Sequence, residues 1–420
     1  MPGQVVIVGG GVAAMRCAFE LRERGFDGQL SMLSAESTPP YDRTLVSKAL
    51  ISGDPVDAER LLLQSLDAYD DAGIELRLGV RATALEAADR RLVLADGSRV
   101  AYDRLVLAVG GEPARPAPLM ADGVVTLRDL GDARRLEPAL DAAERVAIIG
   151  GGFIGTEVAS VVVARGLDAT IVDAALPFAP LLGERVAERI CAMHRARGVT
   201  LLTGTPVDRV RRIGAAFRVD LADGRHVPAD AVVVAVGMRP ATRWLDRSAL
   251  RASRGVPVDQ AGRTSVAGVF ATGDCALVLD PVTGRYASGE HWDAAGRHGV
   301  LVARSVLGLP APEPRAPYFW SDQLGMKLQM IGRAHAAHSV EIEEAQPSPC
   351  FIAHYRRRGG LVGVFAAGVP RAIGRARREL QGAPESDGAN GLPRLRDRVH
   401  RRHELAYPNV VELARGHTDG

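Results

Sequence analysis

The chain contains the same segment twice. Residues 5–25 read VVIVGGGVAAMRCAFELRERG and residues 146–166 read VAIIGGGFIGTEVASVVVARG, each an apolar run, a glycine turn and an apolar stretch ending in Arg-Gly. The pattern fits a strand, a tight turn and a helix. A second matched pair follows, LADGSRVAYDRLVLAVGGEP at 94–113 and LADGRHVPADAVVVAVGMRP at 221–240, and in both the Leu of LADG precedes the Ala of AVG by 14 residues. Two segments repeated in the same order and at the same spacing predict two copies of one α/β nucleotide-binding unit. Each copy is a βαβ element, a hairpin turned at Asp-Gly and a closing strand that ends in glycine.

The glycines carry chemistry through backbone geometry. Gly9, Gly11 and Ala14 fit G-x-G-x-x-A, and Gly150, Gly152 and Gly155 fit G-x-G-x-x-G. In such a turn the first glycine allows the bend, the second lets a pyrophosphate approach the backbone, and the third small residue lets helix pack on strand. The phosphate meets a helix N-terminus, whose free N–H groups favour negative charge. Each copy also supplies an acid about where a ribose would lie: Glu36 comes 22 residues after Ala14, and Asp173 comes 18 after Gly155. Asp173 is followed by Ala174 and Ala175 rather than an arginine. A 2′-phosphate has no obvious partner there, which favours NADH over NADPH.

Composition excludes several function classes. A formal net charge of +2 over 420 residues argues against general nucleic-acid or membrane binding. The four cysteines, Cys17, Cys191, Cys275 and Cys350, form no C-x-x-C pair, which speaks against a disulfide scaffold, a metal site and a dithiol redox centre. The N-terminus runs into QVVIV with no basic leader, so the expected location is cytoplasmic. Only two lysines, Lys48 and Lys327, stand among the 52 Lys and Arg, which makes the lysine in STPPYDRTLVSKAL, residues 37–50, conspicuous. A lysine is a compact point charge suited to one carboxylate or one atom rather than a fork across two.

Several motifs are specific: PYDRTLVSK (40–48), the two glycine turns, ATGDCA (271–276), EHWDAAGRHG (290–299) and YFWSDQLGMKLQMIG (318–332). On these the chain resembles, over about residues 4–382, the FAD-containing, NADH-dependent ferredoxin reductases that serve bacterial oxygenases. This is the putidaredoxin reductase, rubredoxin reductase and biphenyl-dioxygenase ferredoxin reductase group, also similar to apoptosis-inducing factor. The resemblance implies two Rossmann-like dinucleotide-binding domains of glutathione-reductase type plus a small α+β C-terminal domain. Residues 1–113 and 238–315 would bind FAD, 114–237 would bind NAD, 316–382 would form the C-terminal domain, and 383–420 would be a polar, flexible tail. Gly9, Gly11, Ala14 and Glu36 would hold the FAD pyrophosphate and adenosine, with Arg43 and Lys48 beside the phosphates and flavin. Ala108 and Gly110 would close over FAD, Gly273 and Asp274 would form its second fingerprint, and Glu290, His291 and Trp292 would follow on a helix facing the flavin. Trp320 would contact the isoalloxazine, while Gly150, Gly152, Gly155, Glu157 and Asp173 would hold NADH.

The resemblance also implies that Lys48 pairs with Glu157 beside the flavin, where a fixed cation favours charge arriving with the electrons. Electron counting fits: NADH delivers two electrons together, an iron–sulfur carrier takes one at a time, and a flavin can do both. The expected partner is a [2Fe–2S] ferredoxin or similar one-electron carrier, to which Arg356, Arg357, Arg358, Arg371, Arg375, Arg377 and Arg378 would present positive charge. The expected assembly is a monomer or homodimer, with no metal, nucleic acid or membrane. The alternatives are an FAD/NADH oxidoreductase acting directly on oxygen or a small molecule, and a redox-sensing interaction protein.

Overall fold

A computed structural model describes residues 2–382 apart from 54–55, 247, 251, 253 and 280–285; the expected tail, 383–420, lies outside the described residues. The two repeats build two parallel sheets of the same design. The first is ordered Val269–Ala271, Arg104–Leu107, Gln4–Val8, Gln29–Leu33, Glu75–Arg77, and the second Val125–Thr126, Ala231–Val234, Arg145–Ile149, Asp168–Asp173, Thr200–Thr203. The strand entering each glycine turn is central and, after its first residue, apolar: Val5, Val6 and Ile7, and Ala147 and Ile148, have no exposed surface. Strands covered on both faces read as continuous apolar runs, as these do.

Each half carries its hairpin. Arg91–Leu94 and Arg99–Ala101 turn through Gly97, at φ +81°, and Ala216–Leu221 and His226–Ala229 turn through Gly224, at φ +86°. Asp96 and Asp223 each accept a hydrogen bond from the backbone N–H two residues on, which closes the turn. The third unit is a five-stranded antiparallel sheet, ordered Tyr318–Gln323, Met326–Gly332, Gly360–Ala367, Phe351–Arg357, Ser339–Glu344, backed by the arginine-rich helix Pro370–Gly382. The aromatic stretch at 318 is therefore an edge strand.

Two helices bring distant motifs together. The helix after the first turn, Val12–Glu23, packs against Trp292–Val306, and a Cβ on Gly299 would run into the carbonyl oxygen of Ala13. The close crossing carries His291 and Trp292 to the first turn. It also half-buries His298, whose Nε2 has no hydrogen-bond partner among the described residues and whose pKa is pushed down to about 4 by burial.

A histidine in an unfolded chain titrates near 6.5. Between that pH and about 4 the unfolded chain holds a proton that folded His298 refuses, so stability is lost as pH falls through this window. We expect His298→Leu to reduce the stability lost between pH 7 and 4.5 by about 2–3 kcal/mol, read from urea midpoints at the two pH values.

Candidate functional site: two glycine turns and a buried carboxylate

Both turns show the same division of labour. Gly9, at φ +136°, and Gly150, at φ +102°, lie so close to the closing strands that a Cβ would run into the carbonyl oxygens of Ala108 and Ala235. A Cβ on Gly11 or Gly152 would meet nothing within 4 Å. These second glycines face open space, and each is the N-cap of its helix with no side-chain cap and no acid in the first turn. The free N–H groups and positive end of a three-turn helix stand ready for an anion, and a dinucleotide pyrophosphate fits both cradles. At the third position the copies differ: Ala14 accommodates its methyl group, whereas a Cβ on Gly155 would overlap the carbonyl oxygen of Gly150.

The expected ribose acids close each first strand pair. Glu36 accepts a hydrogen bond from Tyr41 (2.8 Å) and pairs with Arg43, whose guanidinium lies 4.9 Å from the Tyr41 ring centre. A carboxylate with two donors retains lone pairs for a ribose hydroxyl. Asp173 accepts from the backbone N–H groups of Gly151 (2.7 Å) and Ala175 (2.8 Å), tying the strand end to the turn.

The second fingerprint comes to the first turn through sheet pairing. Val269–Ala271 lies beside Arg104–Leu107, so Gly273 and Asp274 emerge next to Ala108 and Gly110, and a Cβ on Gly273 would lie 2.9 Å from that of Ala13. Asp274 pairs with Arg128 at 3.0 Å, and Arg128 also donates to the carbonyl oxygen of Gly111. Sequence reasoning missed Arg128, which lies in no motif.

One expectation is corrected. Glu290, His291 and Trp292 do not all lie on the helix: His291 has extended backbone, φ −119° and ψ 147°, and is the N-cap of a helix that starts at Trp292. Asp293 then supplies a favourable acid to the first turn. Glu290 is exposed and accepts from Ser288 at 3.0 Å, while the buried Nε1 of Trp292 has no partner among the described residues.

Lys48 and Glu157 are brought together. Lys48 Nζ lies 3.0 Å from Glu157 Oε1 and also donates to the Thr44 carbonyl oxygen at 2.9 Å. Glu157, only 4% exposed, further accepts from Ser47 and from Ser321, two hydroxyls the sequence did not reveal. Phe153, one helical turn before Glu157, forms a ring cluster with Phe178, Phe319 and His291, in which His291 stacks on Phe319 at 4.5 Å. Burial there draws the His291 pKa below its ordinary value. Trp320, on the other face of the edge strand from Phe319 and Ser321, meets Trp292 at 5.7 Å and Tyr318 at 5.9 Å. Lys327 lies over Trp320 and Arg377 over Tyr318.

The family described as pyridine nucleotide-disulphide oxidoreductase matches residues 3–299, and that described as reductase C-terminal matches residues 318–390. The chain belongs to the pyridine nucleotide-disulphide oxidoreductases. Within them its relatives are ferredoxin reductases. It is 34% identical, over 85% of its length and 88% of the relative's, to the 5,5'-dehydrodivanillate O-demethylase ferredoxin reductase subunit of a Sphingobium species. It is 33% identical, over 89% and 93%, to the anthranilate 1,2-dioxygenase system ferredoxin–NAD(+) reductase component of Burkholderia cepacia. Among solved structures, the covalent putidaredoxin reductase–putidaredoxin complex matches with a TM-score of 0.83 at 29% identity, covering 90% of this chain and 92% of that one.

All four cysteines are free and buried, and the Cys275 thiol is pushed up to about 11 by burial.

Gly11→Ala is expected to leave the apo protein within about 1 kcal/mol of wild-type stability, because the methyl enters open space, yet to weaken FAD binding more than about tenfold. Gly9→Ala, which meets the Ala108 carbonyl at positive φ, should instead destabilise the apo fold by about 3 kcal/mol. Denaturant melts of apo protein and flavin-fluorescence titrations separate the two effects.

Proposed function

We propose that the chain is an NADH-dependent ferredoxin reductase, passing electrons from NADH through FAD to a [2Fe–2S] ferredoxin or similar one-electron carrier that supplies an oxygenase. The observation that carries this reading is the contact between Lys48 and Glu157. It links a segment of the first, FAD-side unit to the helix that begins at the second glycine turn, as a reading in which two dinucleotides meet requires. The reading divides the chain into an FAD-binding part of residues 1–113 and 238–315, an NAD-binding part of 114–237, and a C-terminal part of 316–382.

FAD, when bound, takes electrons in pairs from NADH and releases them singly. Gly9, Gly11, Ala14, Glu36 and Arg43 would hold its pyrophosphate and adenosine end, and Ala108, Gly110, Gly273 and Asp274 its middle. Gly150, Gly152, Gly155 and Asp173 would hold NADH. Asp173 favours NADH over NADPH, because its carboxylate, fixed by two backbone N–H groups, would repel a 2′-phosphate. Lys48 keeps one positive charge, 18% exposed, at the junction, and Glu157 with the Thr44 carbonyl holds it in place. A charge set in advance in a poorly solvated site costs no reorganisation when negative charge arrives.

Electrons would leave past Trp292, Trp320 and Tyr318, which are rimmed by Lys327 and Arg377. Exposed Arg371, Arg375 and Arg378 extend this charge along the same helix, a surface suited to an acidic carrier. Among the described residues no helix is long and apolar enough to cross a membrane. Four free cysteines fit a reducing compartment, which supports a cytoplasmic location.

The deciding assay is anaerobic cytochrome c reduction by FAD-loaded protein, with and without an added [2Fe–2S] ferredoxin, using NADH and then NADPH. A large stimulation by ferredoxin, greater with NADH, is expected. Flavin bleaching that ferredoxin cannot relay would assign the acceptor to oxygen or a small molecule. Lys48→Ala is expected to retain FAD while its reduction by NADH slows about tenfold or more, measured by stopped flow.

A further inference from the structure

Behind Glu157 runs a chain of side chains that the reading above does not use. Ser321 Oγ donates to Glu157 Oε1, Gln323 Nε2 donates to Ser321 Oγ at 2.8 Å, and His194 Nε2 lies 2.9 Å from Gln323 Oε1. All four residues are buried: Ser321 has no exposed surface, His194 has 1%, Gln323 3% and Glu157 4%. They come from three places, the helix Phe153–Ala164, the helix Glu184–Ala196 and the edge strand Tyr318–Gln323.

The direction of every bond is forced. An ionised carboxylate paired with Lys48 can only accept, so Ser321 gives it its single proton. Ser321 must then accept from Gln323, which fixes the amide with its nitrogen toward the serine. The amide oxygen is left facing His194 and can only accept, so His194 must carry its proton on Nε2. Consistently, His194 Nδ1 is buried and has no partner among the described residues. Burial also holds the ring's pKa below its ordinary value, which keeps it neutral near pH 7.

We propose that Ser321, Gln323 and His194 are positioning residues that aim and polarise the Glu157 carboxylate, and through it set the place of the Lys48 ammonium. Every donor in the row points toward Glu157, so each bond strengthens the next. Ser47 holds the other carboxylate oxygen, leaving Glu157 no second rotamer with the same partners. The C-terminal sheet thereby reaches the junction of the two cradles through Ser321. This inference rests on the reading of Lys48 as the charge beside the flavin.

The test has one arm independent of turnover. In apo protein labelled with ¹⁵N-histidine, the His194 signal, identified by its loss in His194→Gln, is expected at the shifts of a protonated Nε2 and a bare Nδ1, and Gln323→Met is expected to move it. A signal from the opposite tautomer overturns the proposal. In the FAD-loaded protein, Ser321→Ala is expected to slow the limiting rate of flavin reduction by NADH about tenfold and Gln323→Met about threefold, with NADH affinity unchanged. The flavin potential, measured by dithionite titration, should fall in both variants, because a Lys48 less firmly held gives the reduced cofactor less support. Wild-type rates and potentials in both variants would overturn the proposal. Wild-type protein that NADH does not reduce would instead overturn the reading of function, while the tautomer and the potential would still decide on the chain.

Discussion

A carboxylate buried to 4% exposure organises the molecule. Left alone, an ion at such a depth costs several kcal/mol, and its own attraction to one lysine does not reliably repay that. Glu157 meets the cost with Lys48 and Ser47 from one loop and Ser321 from the C-terminal sheet. These partners lie far apart in sequence, so the helix Phe153–Ala164 finds its full set only when the three sheets are in register with one another. A cheaper apolar residue there would pack as well but would specify nothing about the neighbours.

Close backbone approach is the second constraint. Gly9 and Gly150 sit against closing strands, Gly155 sits against Gly150, and Gly299 sits against Ala13. Each admits no side chain, and together they hold two turns and one helix crossing at separations that larger residues would open. The glycines that fix the turns against their closing strands differ from those that face open space.

What could be read from sequence follows this division. The repeats were legible because a tight turn before a helix dictates residue type at fixed spacing, and the βαβ element, hairpin and closing strand of each copy followed from them; the number and order of strands in each sheet did not. The pair of Lys48 with Glu157 was reached only through family resemblance, and the geometry of that pair gives Lys48 its place. Arg128, Ser47, Ser321, Gln323 and His194 were not legible: their partners lie across the fold, as with His194 and Gln323, 129 residues apart. The edge strand escaped notice because three aromatics in a row hide the alternation that buries Phe319, Ser321 and Gln323 on one face. The start of the helix at Trp292 was misplaced because His291, its cap, has no residue-type signature.

The first sheet takes its outermost strand, Val269–Ala271, from far along the chain, whereas the second is built from residues 125–234 without interruption. On a ribosome adding about 5–20 residues per second, the edge of Arg104–Leu107 would therefore wait roughly ten to thirty seconds for its neighbour. The second unit emerges and can close during that wait. The nascent protein thus carries an open, apolar strand edge beside a finished domain, and its most vulnerable moment falls midway through synthesis rather than at release.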